Sequence, residues 1–264
     1  MKPVFIFAPY WMGEVSQPRV AITRHNWRLL TAPLPEEANP TERMGVLGQA
    51  LADEVAAVRE AGNLPVVIAG DCTLSIGVLA GLQRQTPELT LVWYDAHGDF
   101  NTHETTPSGF IGGMPLAMLC GRGEQTIVAG AGARVQPEAN VILTDGRDLD
   151  PGEQEAVAES ALTHLTDVAG LLSLDLPDRP IYIHFDCDVL RLADMSAVSY
   201  PAKGGPPLET VNASLAHLAD TGRVAAVSVT MWDPEADNQG NAEEVVLGIV
   251  DQLVDRLQAV GSNL

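Results

Sequence analysis

The sequence is poor in positive charge, poor in aromatic rings and nearly without cysteine. Of its 264 residues only 15 are Lys or Arg, set against 35 Asp and Glu, for a formal net charge of −20. A chain so short of cations has no basic face to neutralise phosphates, which excludes nucleic acid and anionic membranes as partners. The three cysteines, Cys72, Cys120 and Cys187, are too scattered for a disulfide framework and odd in number, so a reducing compartment is expected. No stretch approaches the roughly 18 consecutive apolar residues of a membrane span. The apolar start, Val4-Phe5-Ile6-Phe7, is too short for a signal segment and reads as a first buried strand. Together these absences predict a cytoplasmic protein. Charged residues are also scarce, at 19% against 46% hydrophobic, which leaves enough apolar side chain for a sizeable core and excludes a disordered acidic chain.

What the sequence does have is alternation between short apolar runs and longer amphipathic ones. Val4–Ala8, Pro65–Ala69, Leu89–Tyr94, Thr126–Ala129, Val141–Thr144, Ile181–Phe185 and Val224–Thr230 are almost continuously apolar, as parallel strands covered on both faces are. Between Arg43 and Ala61 the apolar residues Met44, Leu47, Leu51, Val55 and Val58 keep helical spacing, and Gly62 supplies a stop. A second stripe, Val246, Ile249, Val250, Leu253 and Leu257, predicts a helix over Ala242–Ala259, and weaker helical stretches begin near Thr73, Met114, Pro151 and Leu208. This is an α/β order, with right-handed crossovers, a mostly parallel sheet and helices on both sides. No repeat or linker divides the chain, so one domain over 1–264 is expected.

In such sheets ligands bind at the carboxyl ends of the strands. Three predicted strand ends carry dense polar chemistry: Asp95-Ala96-His97-Gly98-Asp99, Asp186-Cys187-Asp188 and Gly70-Asp71-Cys72-Thr73. Four carboxylates gathered at one buried rim repel one another and lose solvation, so without a cation several must hold protons. One or two divalent ions would resolve the conflict. Alternation along extended segments would put Asp95, His97 and Asp99 on one side, and Asp186 and Asp188 likewise, with Cys187 turned into the core. One imidazole among carboxylates suits a borderline-hard ion such as Mn²⁺. The plainer reading of each aspartate after a strand is a turn former or helix cap.

Asp95-Ala96-His97-Gly98-Asp99-Phe100-Asn101-Thr102 resembles the D-A-H-x-D-x-N-T signature of the ureohydrolases, the arginase/agmatinase/formimidoylglutamase superfamily. Asp186-Cys187-Asp188 is similar to its second metal signature, Ala69–Thr73 to its G-G-D-H-S, and Gly146–Glu153 to the G-x-R-D-x-D-P-G-E of arginases. The resemblance runs over nearly the whole chain. It implies a three-layer α-β-α fold around about eight strands and a homo-oligomer, trimer or hexamer. It also implies two Mn²⁺ per subunit and attack of a metal-bridging hydroxide on a small guanidino or amidino substrate. By motif position Asp95 and Asp186 bridge the ions, Asp99 belongs to the first, and His97 and Asp188 to the second. Asn101, Ser108, Asp150 and Glu153 fall at substrate-binding positions. Asp150-Pro151 also reads simply as a helix start.

Three departures stand out. Cys72 occupies the histidine position of G-G-D-H; it is either a soft thiolate ligand, admitting Zn²⁺, Co²⁺ or Fe²⁺, or a buried thiol beside an ion with one ligand fewer. Gly112 stands where arginases carry a proton-shuttling histidine, leaving His103 as the surrogate and, with Asp99, the catalytic candidate. Met231 stands where the family places a glutamate that grips the guanidinium, and Phe110 replaces an asparagine. A catalytically impaired arginase-like protein that retains metal binding but not arginine hydrolysis is the alternative.

Overall fold

The computed structural model describes residues 1–15, 25–237 and 240–261. The strands are β1 (Pro3–Ala8), β2 (Tyr10–Trp11), β3 (Glu14–Val15), β4 (Arg28–Leu29), β5 (Leu64–Ala69), β6 (Thr90–Asp95), β7 (Val141–Asp145), β8 (Thr163–Leu165), β9 (Ile181–Asp186) and β10 (Val224–Thr230). The helices are α1 (Pro40–Glu60), α2 (Ser75–Gln83), α3 (Pro115–Leu119), α4 (Thr126–Ala131), α5 (Pro151–Glu159), α6 (Leu208–Asp220) and α7 (Ala242–Gly261). Eight strands form one sheet in the order β4-β1-β5-β10-β9-β6-β7-β8, every neighbouring pair parallel; β2 and β3 form a separate antiparallel ribbon.

Side-chain alternation divides the interior into two cores. Val67, Ala69, Leu91, Trp93, Leu143 and Tyr182 face α1, α2, α3 and α4, whereas Val66, Ile68, Val92, Tyr94, Ile183 and Phe185 face α6 and α7. The result is the three-layer architecture, with both sheet faces covered as an all-parallel sheet requires. Cys187 lies in the second core, fully buried.

Helix α1 starts one turn earlier than its apolar stripe, because Asn39 and Glu42 form a capping box. Glu42 N donates to Asn39 Oδ1 (3.0 Å) and Asn39 N donates to Glu42 Oε2 (2.9 Å), with Pro40 in the first turn. Gly62, at φ +73°, ends the helix region as expected. α1 crosses α2 at glycine: a Cβ on Gly77 would stand 2.6 Å from Gly48 O.

The strand expected over Thr126–Ala129 is instead α4. Four apolar residues carry no periodicity of their own, and β-branched Thr126, Ile127 and Val128 bias the reading to a strand. Packing decides otherwise: Ile127, Val128 and Ala131 are buried at helical spacing, α4 meets α1 where Gly130 approaches Gly45, and Gly132 (φ +70°) caps it.

Candidate metal centre

Strands β6 and β9 are neighbours, paired Tyr94 to Phe185, and each ends in an aspartate. Asp95 and Asp186 therefore emerge side by side at the carboxyl edge. On the far side of β9, Thr230 of β10 pairs with Asp186, and β5 beyond it leads into Gly70-Asp71-Cys72. Consecutive strands β5 and β6 are separated by the later β9 and β10, so the connections diverge here and leave a crevice.

The aspartates do not reach this crevice by strand alternation. After β6 the chain bends and Asp99 adopts φ +49°; after β9 a 3₁₀ turn covers Cys187–Val189. Two matching Asx turns replace the extended path: Asp95 Oδ1 accepts from His97 N (2.7 Å), and Asp186 Oδ1 accepts from Asp188 N (2.8 Å). The turn-forming and charge-clustering readings of these residues thus hold together. Asp99 is pinned in its left-handed conformation by neighbours. Its carbonyl accepts from Ala117 N at 3.0 Å, and Phe100 N donates to Glu153 Oε1 at 2.8 Å.

Asp95, Asp99, Asp186 and Asp188 are at most 6% exposed. His97 Nδ1 lies 3.0 Å from Asp188 Oδ2 and 3.4 Å from Asp95 Oδ1, and these three side chains converge on one point. A second convergence joins Cys72, Asp95 and His184, so Asp95 belongs to both. Cys72 Sγ donates to Asp186 Oδ2 at 3.0 Å and meets Thr230 Oγ1 at 3.2 Å. Trp93 Nε1 donates to Asp95 Oδ2 at 3.0 Å.

Burial and mutual repulsion push the carboxyls up. Asp95 rises to about 6, first through desolvation and then through Asp188; Asp99 and Asp186 rise well above the ordinary range for the same reasons. Burial, and then the charges of Asp186, Asp99 and Asp95, raises the Cys72 thiol. Burial depresses His97, but its bonds to Asp188 and Asp95 outweigh it and push the imidazole up to about 12. Burial alone lowers His184 to about 3, keeping it neutral. Among the described residues Asp99 Oδ2 and His184 Nε2 are buried without a hydrogen-bond partner. Orphaned acceptors amid crowded carboxylates are what a cation would satisfy, so the donor set fits divalent ions.

A cavity of about 530 Å³ opens from this cluster. Its wall includes Cys72, His97, Asp99, Asp186 and Asp188, then Asn101, Thr106, Ser108, Asp148, Asp150 and Glu153, with Phe110, Gly112, Tyr200 and Met231 also contributing. Asn101 Nδ2 donates to Asp150 Oδ2 at 3.0 Å, and Asp150 N donates to Glu153 Oε2 at 3.2 Å, which makes Glu153 a brace for this wall. Arg147 ties the wall to the second aspartate turn. Its Nη1 donates to Asp145 Oδ2 (2.7 Å) and Val189 O (3.0 Å), and its Nη2 to Asp188 O (2.9 Å). Met231 is 6% exposed, at φ +62°. A Cβ on Gly112 would stand 2.4 Å from the Phe110 ring, so Phe110 fills the space a side chain at 112 would need.

All the expected ligand and substrate positions therefore gather around one crevice, except His103. That residue is exposed and absent from the cavity wall, because its four-residue loop after Asp99 turns outward toward Glu104 and Glu124. The surrogate role for His103 is corrected accordingly. Tyr200, Asp148 and His184 were not singled out from the sequence. A signal existed for His184: it interrupts the apolar run of β9 two residues before Asp186, on the same face.

The chain and its fold are similar to known proteins. A sequence model described as the arginase family matches residues 22–254. Arginase of Bacillus subtilis (strain 168) is 32% identical over 78% of this chain and 74% of its own length. The N(omega)-hydroxy-L-arginine amidinohydrolase of Streptomyces lavendulae is 30% identical over 80% of this chain and 78% of its own. The crystal structure of arginase from Bacillus subtilis superposes with a TM-score of 0.81 at 26% identity, covering 96% of this chain and 98% of that one. The fold and site define a member of the ureohydrolase superfamily. Within it, the chain belongs to the arginase family.

Proposed function

We propose that the chain hydrolyses a non-peptide C–N bond in a small linear guanidino or amidino compound, using two divalent ions, with Mn²⁺ expected where oxygen donors predominate. The observation that carries this reading is the four buried carboxylates at or just after the ends of adjoining strands, of which Asp99, Asp186 and Asp188 line one cavity. Asp95, Asp186, Asp99, Cys72, His97 and Asp188 would hold the ions. Bound there, the ions supply an activated water and a polarising grip on the scissile group.

The remaining residues position the substrate. Asn101, Ser108 and Asp150 present an amide, a hydroxyl and a carboxylate suited to an amino-acid head group, and Glu153 holds Asp150 in place through its backbone. Asp99, whose Oδ2 has no hydrogen-bond partner among the described residues, would turn that oxygen to an ion at the reacting end. The neutral walls at Met231 and Phe110 favour a substrate less dependent on a carboxylate grip than arginine.

The test is a panel of arginine, agmatine, guanidinobutyrate and formiminoglutamate with Mn²⁺, Co²⁺ and Zn²⁺, read by urea, ammonia or formamide release. Turnover of any one supports the assignment, with arginine slower than the best of the others. Absence of turnover with every pair, in protein shown to contain its ions, overturns it.

A further inference from the structure

We propose that His184 is a metal ligand, and that Cys72, Asp95 and His184 together form an imidazole–thiolate–carboxylate site selecting a softer ion than Mn²⁺ at the first metal position. The inference rests on the reading of this rim as a metal centre and adds to it a residue and a preference.

Three observations converge on His184. One donor atom from each of Cys72, Asp95 and His184 lies within 4.8 Å of the others, all three side chains being buried. The ring is fixed in place: it stacks on Trp93 with centroids 3.6 Å apart, and Nδ1 lies 3.1 Å from Ser228 Oγ. Nε2 has no hydrogen-bond partner among the described residues although the ring is fully buried. A buried imidazole nitrogen left empty bears its full loss of solvation unless something occupies it.

The other ring nitrogen meets a chain of hydroxyls. Ser228 Oγ lies 2.7 Å from Tyr182 Oη, and Tyr182 Oη lies 3.5 Å from the carbonyl of Ser75. A serine hydroxyl can accept as well as donate, so Ser228 Oγ is able to accept from His184 Nδ1–H. Ligation through Nε2 requires that tautomer, in which an outer partner orients a ligating histidine. Position 72 carries sulfur, and β9 brings an imidazole within reach of the same point. Thiolate with imidazole favours Zn²⁺, Co²⁺ or Fe²⁺ over Mn²⁺.

Chelated protein titrated with Co²⁺ tests the idea without any catalytic assay. The wild type is expected to bind Co²⁺ with a near-ultraviolet thiolate-to-cobalt charge-transfer band, displaced by Zn²⁺ but not by equal Mn²⁺. Cys72→Ser should abolish the band. His184→Ala should weaken the first ion by more than about 100-fold, beyond the roughly 10–100-fold that losing an outer partner costs. X-ray absorption on the unmutated Co²⁺ protein, which needs no variant to fold, should show one sulfur together with imidazole scattering. If ions bind but the sulfur is absent and His184→Ala binds as tightly as wild type, the assignment is overturned while the metal centre stands. If the wild type binds no ion, both fall.

Discussion

Chelation should destabilise the protein, and the loss should grow with pH. Without ions Asp95 keeps its proton until about 6, whereas in the unfolded chain it ionises near 3.8. The folded state thus binds more protons across that window, and stability falls as pH rises through it. At about 1.4 kcal/mol for each tenfold change in proton affinity, Asp95 alone accounts for about 3 kcal/mol. Asp99 and Asp186, also raised, act with the same sign. His97, raised to about 12 from 6.5, likewise gives stability that is full at low pH and is lost toward alkaline pH. Ions reverse the trend, because they compete with protons for the same oxygens and bind more tightly as pH rises. Free ion at about 100 times its Kd adds about 2.7 kcal/mol, which raises Tm by roughly 5–10 °C for a chain of this size. Differential scanning fluorimetry from pH 5 to 8, with chelator and with Mn²⁺ or Zn²⁺, reads both effects. The chelated Tm should fall across that range and the metal-induced increment should widen. A chelated protein with an undiminished Tm at pH 8, indifferent to every ion, would refute the electrostatic reasoning.

Met231→Glu adds a carboxylate to the cavity wall and should lower KM for arginine by tenfold or more, on the scale of about 1.5–3 kcal/mol for a charged hydrogen bond; steady-state kinetics on the metal-loaded enzyme decides. Gly112→His alone should lose about 1–3 kcal/mol through collision with Phe110, and Phe110→Asn in the same chain should restore it, as thermal melts would show. Glu153→Ala strands the backbone N–H groups of Phe100 and Asp150, so a loss of about 2–4 kcal/mol in urea unfolding is expected. His103→Ala should change stability by no more than about 0.5 kcal/mol and leave turnover as it was, since the side chain is exposed and off the cavity.

Much of the molecule was legible because its signals are local. Continuous apolar runs marked the central strands, and helix starts near Met114, Pro151 and Leu208 fall within a residue of those found. What escaped depends on neighbours distant in the chain. Edge strands Arg28–Leu29 and Thr163–Leu165 are too short to carry a pattern, and Thr126–Ala129 becomes helical only against α1. At the site, acidic spacing located Asp95, Asp99, Asp186 and Asp188, but alternation misdescribed how they converge, since tight turns rather than extended backbone bring them round. His184 went unremarked because a histidine within a strand resembles any satisfied core residue until its empty nitrogen is visible.

The Arg147 guanidinium gives the cavity an unusual mechanical property. One planar cation spans the end of β7, the turn holding Asp188 and the approach to Asp150, so the wall at Asp150 and the Asp188 turn cannot shift independently without breaking these bonds. On the proposed two-ion reading, selectivity and ion affinity would be geared to each other through that side chain.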